Sequence, residues 1–153
     1  MLTTITLKLT SPFLGSSKPN KDGIREIIKN DNKPTIFIKR FTRLCQKYAA
    51  ELNIPSYRID AIKITNHLET NAKEKLYHRD YKDKYGCVKT AKFESYPTGS
   101  ILTLDCYVNT QLITVDKAIK ILSLIGKYDG ISQFGLNTNF GRFDILLCTQ
   151  NND

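Results

Sequence analysis

The chain has 153 residues, enough for one hydrophobic core and short of two ordinary domains, so residues 1–153 are expected to form a single unit. Twenty-three Lys and Arg against 15 Asp and Glu give a net charge of +8 and a pI near 9.3, a balance that favours contact with a polyanion such as nucleic acid. The longest apolar runs fall far below membrane-spanning length, which argues against a spanning helix, and no membrane partner is expected.

Residues Thr3 to Thr10 alternate, with Ile5, Leu7 and Leu9 on one side, which suits a half-buried strand ended by Pro12 and Gly15. The same alternation leaves no continuous apolar stretch for a secretion signal. Ser16 to Lys33, rich in Lys, Asn, Gly and Ser, reads mostly as loop, although Ile24, Ile27 and Ile28 could form one helical turn. From Thr35 to Leu52, Phe41, Leu44, Cys45, Tyr48, Ala49 and Leu52 recur at steps of three and four and predict a helix, stopped by Asn53 and Pro55. Its other face carries Lys39, Arg40, Arg43 and Lys47, which reads as the wet side.

Tyr57 to Thr65 predicts a second strand whose register slips at Ala61 and Ile62. His67 to Lys92 is the most polar stretch and predicts an exposed insertion, a hairpin or thumb. Ser100 to Asn109 alternates as a strand with Leu102, Leu104, Cys106 and Val108 on one face. Thr114 can cap a helix buried through Val115, Ala118, Ile119, Leu122 and Ile125, with Gly126 as its stop. A glycine-bearing loop over 127–139 then leads to a closing strand from Phe140 to Thr149. The order strand, helix, strand, insertion, strand, helix, strand predicts an α+β, ferredoxin-like (βαββαβ) antiparallel sheet with two helices on one face and a basic insertion at about 67–92.

Four cysteines, Cys45, Cys87, Cys106 and Cys148, form no CxxC pair, so neither a zinc knuckle nor a disulfide framework is indicated, and a reduced, cytoplasmic setting is expected. No metal or other cofactor is expected: the acidic residues are dispersed and no phosphate-loop or Ser/His/Asp motif occurs. Two other constellations point to a strand of nucleic acid. In the last third, Gly126, Gly130, Gly135 and Gly141 would let backbone amides approach phosphates. Lys127 and Arg142 would add charge there, and Tyr128, Phe134 and Phe140 could stack on bases. In the insertion, Tyr77, Arg79, Tyr81, Lys82, Lys84 and Tyr85 alternate rings with cations, as a strand-tracking surface requires. The alternatives are that the glycines serve only turn geometry and that the insertion is a solvated loop.

The early strand ending in Ser11-Pro12-Phe13-Leu14, the helix from Ile36 to Leu52, the strand and helix between Lys92 and Ile125, and the tail from Ile125-Gly-Lys-Tyr-Asp-Gly through Phe140-Gly-Arg-Phe-Asp-Ile together resemble small phage-encoded relatives of the RAMP superfamily, which includes CRISPR backbone and processing subunits. The resemblance covers most of the chain loosely and the final 60 or so residues best. It implies an RNA-recognition-type fold that holds single-stranded nucleic acid with a glycine-rich loop and a basic thumb. The glycines here are sparser than in the familiar loop of CRISPR subunits.

Three functions are therefore carried forward. The first is non-catalytic binding of single-stranded DNA or RNA, with sheet aromatics, glycine loop and insertion forming one path and copies assembling along the ligand. The second is a protein-interaction module acting against a host defence complex by imitating one of its subunits. The third is a RAMP-type endoribonuclease, for which either of the two histidines, His67 or His78, could act in acid–base cleavage with a nearby Tyr or Lys.

Overall fold

The computed structural model describes residues 1–54, 58, 60–133 and 139–151. It holds β1 (Leu2–Leu9), β2 (Phe13–Leu14), β3 (Ile24–Arg25), β4 (Lys29–Asn30), β5 (Lys33–Pro34), α1 (Ile38–Glu51) and β6 (Ile62–Ile64). These are followed by β7 (Glu69–Thr70), β8 (Lys75–Lys82), β9 (Val88–Tyr96), β10 (Ile101–Val108), α2 (Val115–Tyr128) and β11 (Phe143–Asn151). The class is mixed α+β, with two helices among the described residues and mostly antiparallel pairing.

The first sheet runs β11-β1-β10-β6, every pair antiparallel, with β7 also pairing on β10. Alternation puts Thr3, Ile5, Leu7 and Leu9 of β1 and Leu102, Leu104, Cys106 and Val108 of β10 on one buried face. The buried stripes Phe41, Cys45, Tyr48 and Ala49 of α1 and Ala118, Ile121, Leu122 and Ile125 of α2 join them in one core. Thr4, Thr6 and Lys8 of β1 and Thr103, Asp105 and Tyr107 of β10 face the other way, under no second layer of described residues.

The second sheet is built on β9. Val88 to Ser95 pair with β8, Tyr96 and Ser95 pair with Phe13 and Leu14 of β2, and Lys92 and Phe93 run parallel to β3. A smaller cluster of Leu14, Phe93 and Phe140 closes one side of this sheet. A third, two-stranded sheet joins β4 to β5.

Several sequence expectations shift. The region 16–33 contains the short strands β3 and β4, because Ile24 and Lys29 find partners 68 and five residues away that no local period encodes. Thr35 makes an isolated bridge to His67, so α1 begins at Ile38. The second strand is shorter than 57–65: Ala61 N–H donates to Arg58 O in a turn, and Tyr57 and Ile59 lie outside the described residues. Gly126 is no stop, since α2 continues through it to Tyr128. The closing strand begins at Phe143, because Gly141 at φ +70° turns the chain just before it. Among the described residues no helix is long and apolar enough to cross a membrane.

Candidate nucleic-acid interface

Only part of the insertion expected at 67–92 is a hairpin: Leu68 is buried in the larger core and Glu69–Thr70 pair with β10 in the first sheet, whereas from Lys75 on the chain pairs with β9 as a hairpin. Asp83 sets its turn: its carboxylate accepts from the N–H groups of Tyr85 (2.9 Å) and Cys87 (3.0 Å), and Gly86 takes the left-handed position at φ +78°. From there β8 and β9 pair from Lys82 with Val88 back to Lys75 with Ser95. Eight paired residues extend roughly 25 Å. Residues 75–92 carry six cations against two carboxylates, a difference of +4, so half the chain's net charge of +8 lies on this arm. The two carboxylates serve the arm itself, Asp80 accepting from Thr90 Oγ1 at 2.6 Å and Asp83 holding the turn with Lys89 Nζ 3.5 Å away.

Strand alternation divides the expected ring-and-cation series between two faces. Tyr77, Arg79 and Tyr81 share one face with Phe93, Ala91 and Lys89 across the ladder. Lys82 lies on the opposite face with His78 and Lys92, and Lys84 and Tyr85 occupy the turn, Lys84 Nζ resting 5.0 Å from the Tyr85 ring centre. The rings grow more exposed toward the tip: Tyr77 is half-buried, Tyr81 is 47% exposed and Tyr85 77%. Lys89 belongs to the tyrosine face yet is absent from the sequence series. Only the offset across the Asp83–Gly86 turn, which sets Tyr81 opposite Lys89, discloses it.

At the arm's root the two expected constellations meet. The Phe140 ring packs edge-on against Tyr77, with centres 5.7 Å apart, and the Arg79 guanidinium lies over it at 5.6 Å. Phe140 is buried there, so it plugs the root of the hairpin; as it stands it offers no face to a base. Arg142 follows two residues later, its N–H donating to Ser11 Oγ (2.9 Å) and its guanidinium reaching Asn139 Oδ1 (3.4 Å).

The glycines are placed differently from the phosphate-cradle expectation. A Cβ at Gly126 would meet the Phe143 carbonyl and ring at 2.5–2.6 Å, so this glycine lets α2 lie close on β11. Gly130 and Gly141 are buried against each other's strands of chain, each with positive φ. Their amides are engaged: Gly130 N–H donates to Ile125 O (2.7 Å) and Gly141 N–H to Pro12 O (2.7 Å). What they do is join the end of α2 to the start of β11, and no free amide is left on them for a phosphate. Phe134 and Gly135 lie outside the described residues.

Arg40 secures the same junction. From the face expected to be wet, its guanidinium reaches inward and donates to Asp129 O (3.0 Å) and Gly130 O (2.9 Å), a cation set at the C-terminal end of α2. Tyr48 donates its hydroxyl proton to the buried Asp129 carboxylate, and Lys47 stands 3.9 Å from that carboxylate. Burial, reinforced by Asp129, holds the Tyr48 phenol well above its ordinary pKa. Lys39 and Arg43 stay exposed. Lys127 and the half-exposed Tyr128 stand side by side on the last turn of α2, which packs on α1 and β11, whereas the arm belongs to the second sheet. The open face of the first sheet holds one aromatic on its central strands, Tyr107; Phe143 points into the core.

No family model matches the chain, and no curated protein does. Solved structures do. A chain of the Type III-B Cmr-beta structure bound to cognate target RNA superposes with a TM-score of 0.66 at 8% identity, over 97% of this chain and 59% of that one. A chain of a Type IV-B CRISPR complex superposes with a TM-score of 0.55 at 10% identity, over 97% of this chain and 90% of that one. This chain thus spans about three-fifths of the first neighbour's length and nine-tenths of the second's. At these identities the likeness is one of fold, which this chain shares with chains of both CRISPR structures.

Proposed function

We propose that the chain is a non-catalytic, single-stranded nucleic-acid-binding protein, phage-encoded, whose ligand lies along the β8–β9 arm. The observation that carries this reading is the arm itself: half the net charge, with exposed Tyr81 and Tyr85 beside Lys84 and Lys89, on a rigid two-stranded support. Rings that can stack on any base and cations that neutralise phosphates are what a strand without fixed sequence requires. The core beneath it is read as ferredoxin-like. In support, β1, α1, β6, β10, α2 and β11 follow one another in the chain, and the sheet order is β11-β1-β10-β6. The fold shared with a structure bound to target RNA favours the same reading.

The non-catalytic part rests on the sequence, in which the acidic residues are dispersed and both histidines, His67 and His78, belong to the polar stretch from His67 to Lys92. The test is a titration of nuclease-treated protein with labelled single-stranded RNA, single-stranded DNA and duplex DNA at two salt concentrations. Salt-sensitive preference for one single strand is expected. Equal indifference to all three polymers would contradict the reading.

A second reading, a module that joins or imitates a subunit of a host defence complex, is favoured by one observation: the chain covers 90% of a chain in the Type IV-B CRISPR complex, close to a whole subunit. It predicts a stable protein partner that survives nuclease treatment.

A further inference from the structure

Two long strands of this protein lie at sheet edges, and they are treated very differently. β8 pairs only with β9 among the described strands, and its eight residues include Lys75, Arg79, Asp80 and Lys82, charges that discourage a second chain from pairing there. β11 pairs only with β1 among the described strands, and its nine residues, Phe-Asp-Ile-Leu-Leu-Cys-Thr-Gln-Asn, contain one charge and no proline. In a chain with 23 Lys and Arg, β11 has neither. Leu146 and Leu147 stand 55% and 60% exposed upon it. A β-prone, solvent-facing edge with a single charge is a template for another strand of the same character.

We propose that β11 pairs antiparallel, edge to edge, with β11 of a second copy of this chain, joining the two five-stranded sheets about a two-fold axis. Charge selects this occupant. With Leu147 at the axis, Asp144 of one copy falls opposite Gln150 of the other, so no like charges meet, and Leu147 meets its own counterpart. The bulge where β11 shifts register against β1, between Thr6 and Leu7, lies beside that axis and exposes Leu146 next to the contact.

The inference is independent of nucleic-acid binding and has the opposite salt dependence. Two bodies of charge +8 repel, and salt screens that repulsion, so the dimer tightens as salt rises, whereas a nucleic-acid complex loosens.

The test is sedimentation of nuclease-treated protein over a concentration series at low and high salt, for the natural chain and Leu147→Lys. We expect a monomer–dimer equilibrium that favours the dimer at high salt. Leu147→Lys places two lysines on the axis and weakens it about tenfold or more, with the melting temperature of the dilute monomer unchanged because the side chain is exposed. Hydrogen exchange gives a second reading: the amides of β11 that point away from β1 become protected as concentration rises. A monomer at every concentration overturns the proposal, as does a dimer indifferent to Leu147→Lys. Masses that climb beyond the dimer also overturn it, since they signal head-to-tail joining of β11 to the open edge of β6, beside the 560 Å³ groove lined by Ile38, Phe41, Ile62 and Ile64.

Discussion

Gly126 and Gly141 illustrate how a residue's role depends on what lies opposite it. Alanine at 126 drives its Cβ into the Phe143 backbone and ring, and we expect a loss of about 1–3 kcal/mol in chemical denaturation. Alanine at 141 costs more, because φ is +70° and Ser132 N would lie 2.3 Å from the new carbon. From sequence these glycines cannot be told from a phosphate loop, since spacing records no partner; only Pro12, Ser132 and Phe143, distant in the chain, decide the matter.

At Tyr48 the hydroxyl is tied to buried Asp129, so Tyr48→Phe leaves a carboxylate short of a partner and costs about 1–3 kcal/mol. The same site sets an alkaline limit. Burial raises the pKa of Tyr48, and burial with Glu74 and Glu94 nearby raises that of Tyr96, so the native state favours both neutral phenols. Their contribution is complete below the ordinary phenol pKa of about 10 and is lost as pH rises beyond it. Denaturation midpoints measured across that range should fall, and Tyr48→Phe should flatten the decline.

Among the elements, β1, β10 and both helices were legible because each buries one face continuously, and alternation or three-and-four spacing records that directly. The arm was legible as exposed and basic, while its extent was not. β9 continues past Lys92 into buried Phe93, Ser95 and Tyr96, which belong to the second sheet and its long-range partners β2 and β3. Nor could sequence divide the tyrosines and lysines between faces, because that follows from the turn at Asp83 to Gly86. On the arm, Tyr85→Ala is expected to leave the melting temperature unchanged and to weaken single-strand binding by about 1–3 kcal/mol. Lys84→Ala and Lys89→Ala each should lower the slope of log affinity against log salt by about 1. Phe140→Ala acts otherwise: it removes the ring against which Tyr77 and Arg79 pack and should destabilise the fold by about 3 kcal/mol or more.

Considered whole, the molecule separates support from display. One sheet and two helices share the larger core, and the second sheet carries the basic arm away from it, fixed at its root by Phe140, which the closing loop supplies. The proposed path is accordingly drawn along the arm and its root, since the first sheet's open face has only Tyr107 on its central strands and the amides of Gly130 and Gly141 are engaged. Photocrosslinking of labelled single-stranded RNA or DNA, with the attached peptides mapped by mass spectrometry, tests this most directly. Crosslinks concentrated on the peptides around Tyr81, Lys84, Tyr85 and Lys89 are the predicted result. Crosslinks confined to Tyr107 and the open sheet face, with the arm unlabelled, would contradict it.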